Sequence, residues 1–153
     1  MMAIIESMVA RVEVASIDEA FLDLTGMPGN LTELGRSIRS KVYRCTGIPV
    51  GVGIAPTKTL AKLANHTAKR LQSHTGGVVD ICDPVKRDWV LRNTSVGEVW
   101  GIGRNMKAHL EGMRILRKAC QLHGKTPSGA HRRGRRHLRP YKTRLGVAQY
   151  LCR

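Results

Sequence analysis

Val12 and Val14 alternate with charged neighbours, and a second apolar run, Phe21 to Leu24, follows a break at Ser16-Ile17-Asp18-Glu19. That pattern predicts two short strands joined as a hairpin. Asn30, with Glu33 three residues on, is a capping-box start for apolar residues at Leu31, Leu34, Ile38, Val42 and Cys45. The helix of about four turns that this spacing predicts ends at Gly47 and Pro49. In Val50-Gly51-Val52-Gly53-Ile54 glycine alternates with β-branched residues, the mark of a buried strand over which another element packs closely. A second helix is expected from near Thr57 to about Gln72, and Gly76-Gly77 then turns the chain into a strand at Val78-Val79-Asp80-Ile81. The order strand, strand, helix, strand, helix, strand predicts an α+β fold, a mixed sheet with helices on one face.

At about 100° per residue, Leu60, Leu63, Ala64, Thr67, Ala68 and Leu71 fall mostly on one side of the second helix. Lys58, Lys62 and Lys69 gather within about 40° on the other. Periodicity leaves two readings of that stripe open: a solvated face, or, for Lys58 in the first turn, a cation meeting an anion near a helix N-terminus. Asp83-Pro84 is a cap followed by a first-turn proline, so a new unit starts there. Ser95 with Glu98 leads into Val99-Trp100-Gly101-Ile102-Gly103-Arg104 and a helix through about Glu111. Helix, glycine-apolar-glycine turn, helix is the helix-hairpin-helix arrangement, in which unobstructed backbone N–H groups can meet a phosphate. Gly101, Ile102, Gly103 and Arg104 are the candidate DNA-binding residues.

Charge divides the 153-residue chain. Residues 1–113 carry 14 Lys and Arg against all 11 acids, and residues 114–153 carry 12 Lys and Arg and no acid, so the net +15 divides as +3 and +12. The excess favours a polyanionic partner such as nucleic acid. The tail reads as disordered or frame-shifted basic sequence. Cysteines at 45, 82, 120 and 152 have no zinc-site spacing and read as free thiols of a reducing compartment. Neither a basic leader nor an apolar run of spanning length is present, which gives a cytoplasmic expectation and no membrane partner.

Asp18 and Glu19 place two adjacent carboxylates at the hairpin crown, a common way to build a metal-dependent phosphoryl-transfer site. Neighbouring strand residues face opposite ways, so the pair can share a metal site only where the strand ends or bends.

The runs Ser16 to Gly26, Val50 to Ala64 and Val99 to Gly103, in that order, resemble the Y-family translesion DNA polymerases, and the UmuC-type branch in particular, over roughly residues 5–115. The resemblance implies a partial polymerase palm over 1–82, the start of a helix-hairpin-helix thumb over 83–115 and a basic tail over 116–153. It implies Asp18 and Glu19 as catalytic ligands of two Mg2+ ions and Lys58 on the incoming triphosphate. It also implies DNA primer-template and deoxynucleoside triphosphate as substrates. A UmuD-type accessory protein, a recombinase filament and the sliding clamp are the implied partners. The family's third carboxylate comes from the first palm strand; here only fifteen residues precede Ser16, with Glu6 and Glu13 their sole acids. Ala15 stands where the branch usually has Tyr, and fingers and little finger are not recognised. The expectation is therefore an incomplete, inactive polymerase fragment of the SOS response. The alternatives are a non-catalytic nucleic-acid binder using the glycine turn and basic tail, and a palm-like nucleotidyl cyclase.

Overall fold

The computed structural model describes residues 1–112, Ala119 and 145–150. Helix α1 covers Met2–Glu6, followed by strands β1, Val12–Val14, and β2, Glu19–Asp23. Helix α2 is Leu31–Thr46, β3 is Val50–Ala55, α3 is Lys58–Arg70, α4 is Gln72–Thr75 and β4 is Val78–Asp80. Helix α5, Pro84–Arg92, a 3-10 turn at Val96–Glu98, α6 at Arg104–Gly112 and β5 at Leu145–Tyr150 complete the described elements.

The predicted boundaries hold where local chemistry sets them. The Asn30 side chain accepts from Thr32 N–H to open α2, and Gly47, at φ 71°, closes it in the left-handed conformation. The Asp83 carboxylate accepts from the N–H groups of Val85 and Lys86 and opens α5 ahead of Pro84. The second predicted helix is α3, capped at its C-terminus by Leu71, and a four-residue helix that the pattern did not predict, α4, follows it. Five-residue α1 is too short to show a period; packing fixes it, through the fully buried Ile5.

The strands form one mixed sheet in the order β1-β2-β5-β3-β4, antiparallel except for the β3 and β4 pair. Strand β3 is buried along its whole length and faces two ways. Val50, Val52 and Ile54 point into a core with Ile5, Leu22, Leu31, Ile38 and Val42. Their neighbours Gly51, Gly53 and Ala55 turn to the opposite face, where Phe21, Ala61, Ala64, Ile81 and Val90 form a second core. The sheet is thus covered by α1 and α2 on one face and by α3 and α5 on the other. This corrects the expectation of helices on one face: the glycines mark a second helix layer, because only a side without side chains lets a helix backbone come so near. A Cβ at Gly53 would lie 2.2 Å from Ala61 O and 2.3 Å from Asn65 N.

A second correction concerns the tail. Leu145–Tyr150, within the stretch expected to be disordered, forms β5 between β2 and β3. Both neighbours are buried strands whose facing edges need hydrogen-bond partners, and a six-residue segment meets that need. Its sequence, Leu-Gly-Val-Ala-Gln-Tyr, lies in a basic stretch far along the chain from either partner, so nothing local announces it. The remainder of the tail, apart from Ala119, lies outside the described residues, as do positions 113–115 of the expected thumb segment. No helix among the described residues is long and apolar enough to cross a membrane.

The close approach at Gly53 predicts that Gly53→Ala costs at least about 3 kcal/mol in urea unfolding, since the obstacle is backbone that cannot swing aside. At Gly103, where a Cβ meets nothing within 4 Å, the same change is expected to stay within about 0.5 kcal/mol. Removing residues 145–153 is expected to leave the inner edges of β2 and β3 unpaired, giving aggregation in size-exclusion chromatography and loss of cooperative unfolding. A shortened chain that stays monomeric and unfolds cooperatively would show that β5 is dispensable.

Candidate functional site

The hairpin crown is built by backbone closure. Ala15 and Ser16 both donate their N–H to Glu19 O, at 2.9 and 3.1 Å. Ser16 Oγ donates to the Asp18 carboxylate. Asp18 ends the turn and Glu19 is the first residue of β2, so the predicted strand boundary falls between the two carboxylates. Asp18 is half-buried and Glu19 is buried.

Helix α3 runs back over the same face of the sheet, and the lysine stripe lies on the hairpin carboxylates. Lys58 Nζ is 2.5 Å from both oxygens of Glu13 and 5.0 Å from the centroid of Phe21. Lys62 Nζ is 2.9 Å from Glu19 Oε2, with side-chain exposures of 20% and 7%. Burial pulls the Lys69 pKa below its ordinary value, while Asp18 and Glu19 push it back up, so both carboxylates act on the end of the stripe. The stripe is therefore a charge-paired interface and not a freely solvated face.

The glycine turn meets the cluster from the side. Trp100 packs on Phe21 with ring centroids 5.9 Å apart, and Lys62 Nζ lies 4.4 Å from the Trp100 centroid. His66 Nε2, one turn along α3 from Lys62, is 3.0 Å from Glu98. Gly101 has φ 93°, Ile102 N–H donates to Val99 O, and α6 starts at Arg104. A Cβ at Gly101 or Gly103 would meet nothing within 4 Å, so the turn is open to approach. The element directly before it is the 3-10 turn at Val96–Glu98, opened by Ser95, whose side chain accepts from Gly97 N–H. Sequence reasoning singled out Asp18, Glu19, Lys58 and the glycine turn but missed Glu13, Phe21, Lys62 and Trp100. The signal for Lys62 was its place in the stripe with Lys58; Trp100 gave none.

At the end of β2, Asp23 is held below the ordinary carboxylate pKa by hydrogen bonds from the side chain and backbone of Thr25, with help from Arg11 at 3.2 Å. This fixes the hairpin at the end away from the crown.

Magnesium takes hard oxygen ligands in near-octahedral geometry. Glu19 Oε1 is buried with no hydrogen-bond partner, an oxygen free to face a cation. Against that, Glu19 Oε2 is held by Lys62, and among the described residues no group of three potential metal-ligating side chains forms. Two carboxylates alone do not complete a two-ion cage.

The impB/mucB/samB family model matches residues 1–66. The chain is 50% identical over 116 residues to protein UmuC of Salmonella typhimurium strain LT2. The chain belongs to this family. It lies in the UmuC-type branch of the Y-family polymerases. Protein MucB of Escherichia coli is 44% identical over 115 residues, and DNA polymerase IV 2 of Bacillus subtilis strain 168 is 37% identical over 119. Each match takes in 74% of this chain, which spans only 27% to 28% of the length of these relatives.

The Lys62 and Glu19 pair carries a stability prediction for this family member. Lys62→Met leaves a buried carboxylate unpaired and is expected to cost about 3 kcal/mol in urea unfolding. Adding Glu19→Gln is expected to restore most of that loss; a double variant as unstable as the single would show that packing, not charge, sets the cost.

Proposed function

We propose that this chain is a part of an error-prone translesion DNA polymerase of the SOS response: most of a palm and the start of a thumb. In the intact protein the palm transfers nucleotides to a DNA primer, and this chain alone is inactive. The observation that carries the reading is the 50% identity to UmuC over 116 residues, supported by two carboxylates at the hairpin crown facing a lysine helix. Mg2+, when bound by the complete carboxylate set, would activate the primer hydroxyl and hold the triphosphate. Asp18 and Glu19 are this chain's contribution to that set, and Lys58 carries the positive charge for the triphosphate. Gly101, Ile102, Gly103 and Arg104 hold the duplex backbone. A UmuD-type accessory protein, a recombinase filament and the sliding clamp are partners of the intact protein, which acts in the cytoplasm.

The test is a graft of residues 5–115 into the matching segment of UmuC, with lesion bypass as the readout. Bypass is expected to survive the graft and to be abolished by Asp18→Ala, while the chain alone extends no primer in Mg2+. Full bypass by the Asp18→Ala graft, or primer extension by the chain alone, would overturn the reading.

A non-catalytic DNA-binding reading is favoured by one observation, the 12 Lys and Arg and no acid in residues 114–153. It expects salt-sensitive duplex binding that is indifferent to Asp18→Ala. Arg104→Gln is then expected to lower the salt slope by about 0.9.

A further inference from the structure

Helix α2 carries Arg36, Arg39, Lys41 and Arg44 against one acid, Glu33 in its first turn. Arg36, Arg39, Ser40 and Tyr43 recur at helical spacing on one side, beside the face buried by Leu31, Gly35, Ile38 and Val42. With Pro49, Gln72 and Gly76 they line an open cleft of about 520 Å³ between α2 and α4. None of the residues of the carboxylate and lysine cluster lines it.

The cleft is built around a seated guanidinium. Arg39 Nη1 donates to Gly76 O at 2.8 Å. A Cβ on the next residue, Gly77, would lie 1.9 Å from Arg39 Nη1, so the glycine keeps the room that the guanidinium occupies. Among the described residues neither Arg36, Arg39 nor Arg44 forms an ion pair. Arg11 and Arg92 differ in this respect, being paired with Asp23 and Asp88. Like charges three residues apart on a helix repel, a cost that a bound anion reverses. Tyr43, 57% exposed, sets an aromatic ring beside these cations.

Unpaired guanidinium groups beside an exposed ring are the two elements of a single-strand site: cations for phosphates and a π-face for a base. The volume suits about one nucleotide. We propose that the cleft between α2 and α4 binds single-stranded nucleic acid, Arg36 and Arg39 taking the phosphates and Tyr43 stacking a base.

The experiment uses the full chain and a labelled short oligothymidylate carrying 5-iodouracil. Tyr43→Ala is expected to weaken binding about tenfold in fluorescence anisotropy, the effect of losing one stacked base. Arg36→Gln is expected to lower the salt slope by about 0.7, and photo-cross-linking is expected to label Tyr43. Both side chains are exposed, so urea unfolding should be unchanged and Tyr43→Phe should bind as the parent does. The basic tail is common to every variant, and the position of the cross-link separates its contribution from that of the cleft. Unchanged affinity of a folded Tyr43→Ala, or cross-links confined to residues outside α2 and α4, would overturn the proposal. So would displacement of the oligonucleotide by inorganic pyrophosphate with no sensitivity to Tyr43, which would make the cleft a site for free anions.

Discussion

The molecule is organised by the contact between β3 and α3. A strand with Val50, Val52 and Ile54 on one face and Gly51 and Gly53 on the other can bury an ordinary side-chain core and a helix backbone at once. Alanines complete the fit from the helix side: Ala61, Ala64 and Ala68 are fully buried. With large residues at either surface, α3 would stand off the sheet by the further thickness of a side-chain layer, and the lysine stripe would lose its reach to the hairpin. Packing of small residues is therefore the condition for the electrostatics of the site.

Once α3 lies close, two periodicities come nearly into register. Four residues of helix advance about 6 Å and two residues of strand about 6.6 Å. Lys58 and Lys62 can thus sit over Phe21 and Glu19, which share one face of β2. Asp18, just beyond the strand, falls nearer the field of Lys69, farther along the same helix. The match holds only because α3 runs opposite to the direction of β2.

Features decided by neighbours in the chain were legible in the residues themselves. Asn30, Gly47 and Asp83 do their capping with atoms a few positions away, so α2 and α5 could be bounded without knowing the fold. Features decided by remote partners were not. The two-sided cover of β3 depends on where α3 packs, and β5 on the free edges of β2 and β3, which lie in sequence far from Leu145. The lysine stripe shows both halves of this division. Its helical spacing was readable, but whether it met water or carboxylates depended on the hairpin beneath it.

The same geometry constrains the chemistry. Lys58 is held by Glu13 and Lys62 by Glu19, so a phosphate arriving here has to exchange places with a carboxylate of the chain itself. The two exchanges are unequal. Glu13 is 65% exposed and can swing into water, whereas Glu19 is nearly buried and would be left uncompensated. Lys58 is consequently the cation that an anion can reach at low cost, and Lys62 the one that keeps Glu19 in place. The register of β5 sharpens the point: Gln149 pairs with Glu19 on one side and with Gly51 on the other, and no acid occurs between Leu145 and Tyr150. With a neutral strand between β2 and β3, the carboxylates that face Lys58 and Lys62 both come from the hairpin, Glu13 from β1 and Glu19 from β2. An ion entering here therefore has to displace Lys62 from Glu19 Oε2, which makes the internal pairs competitors of any cation.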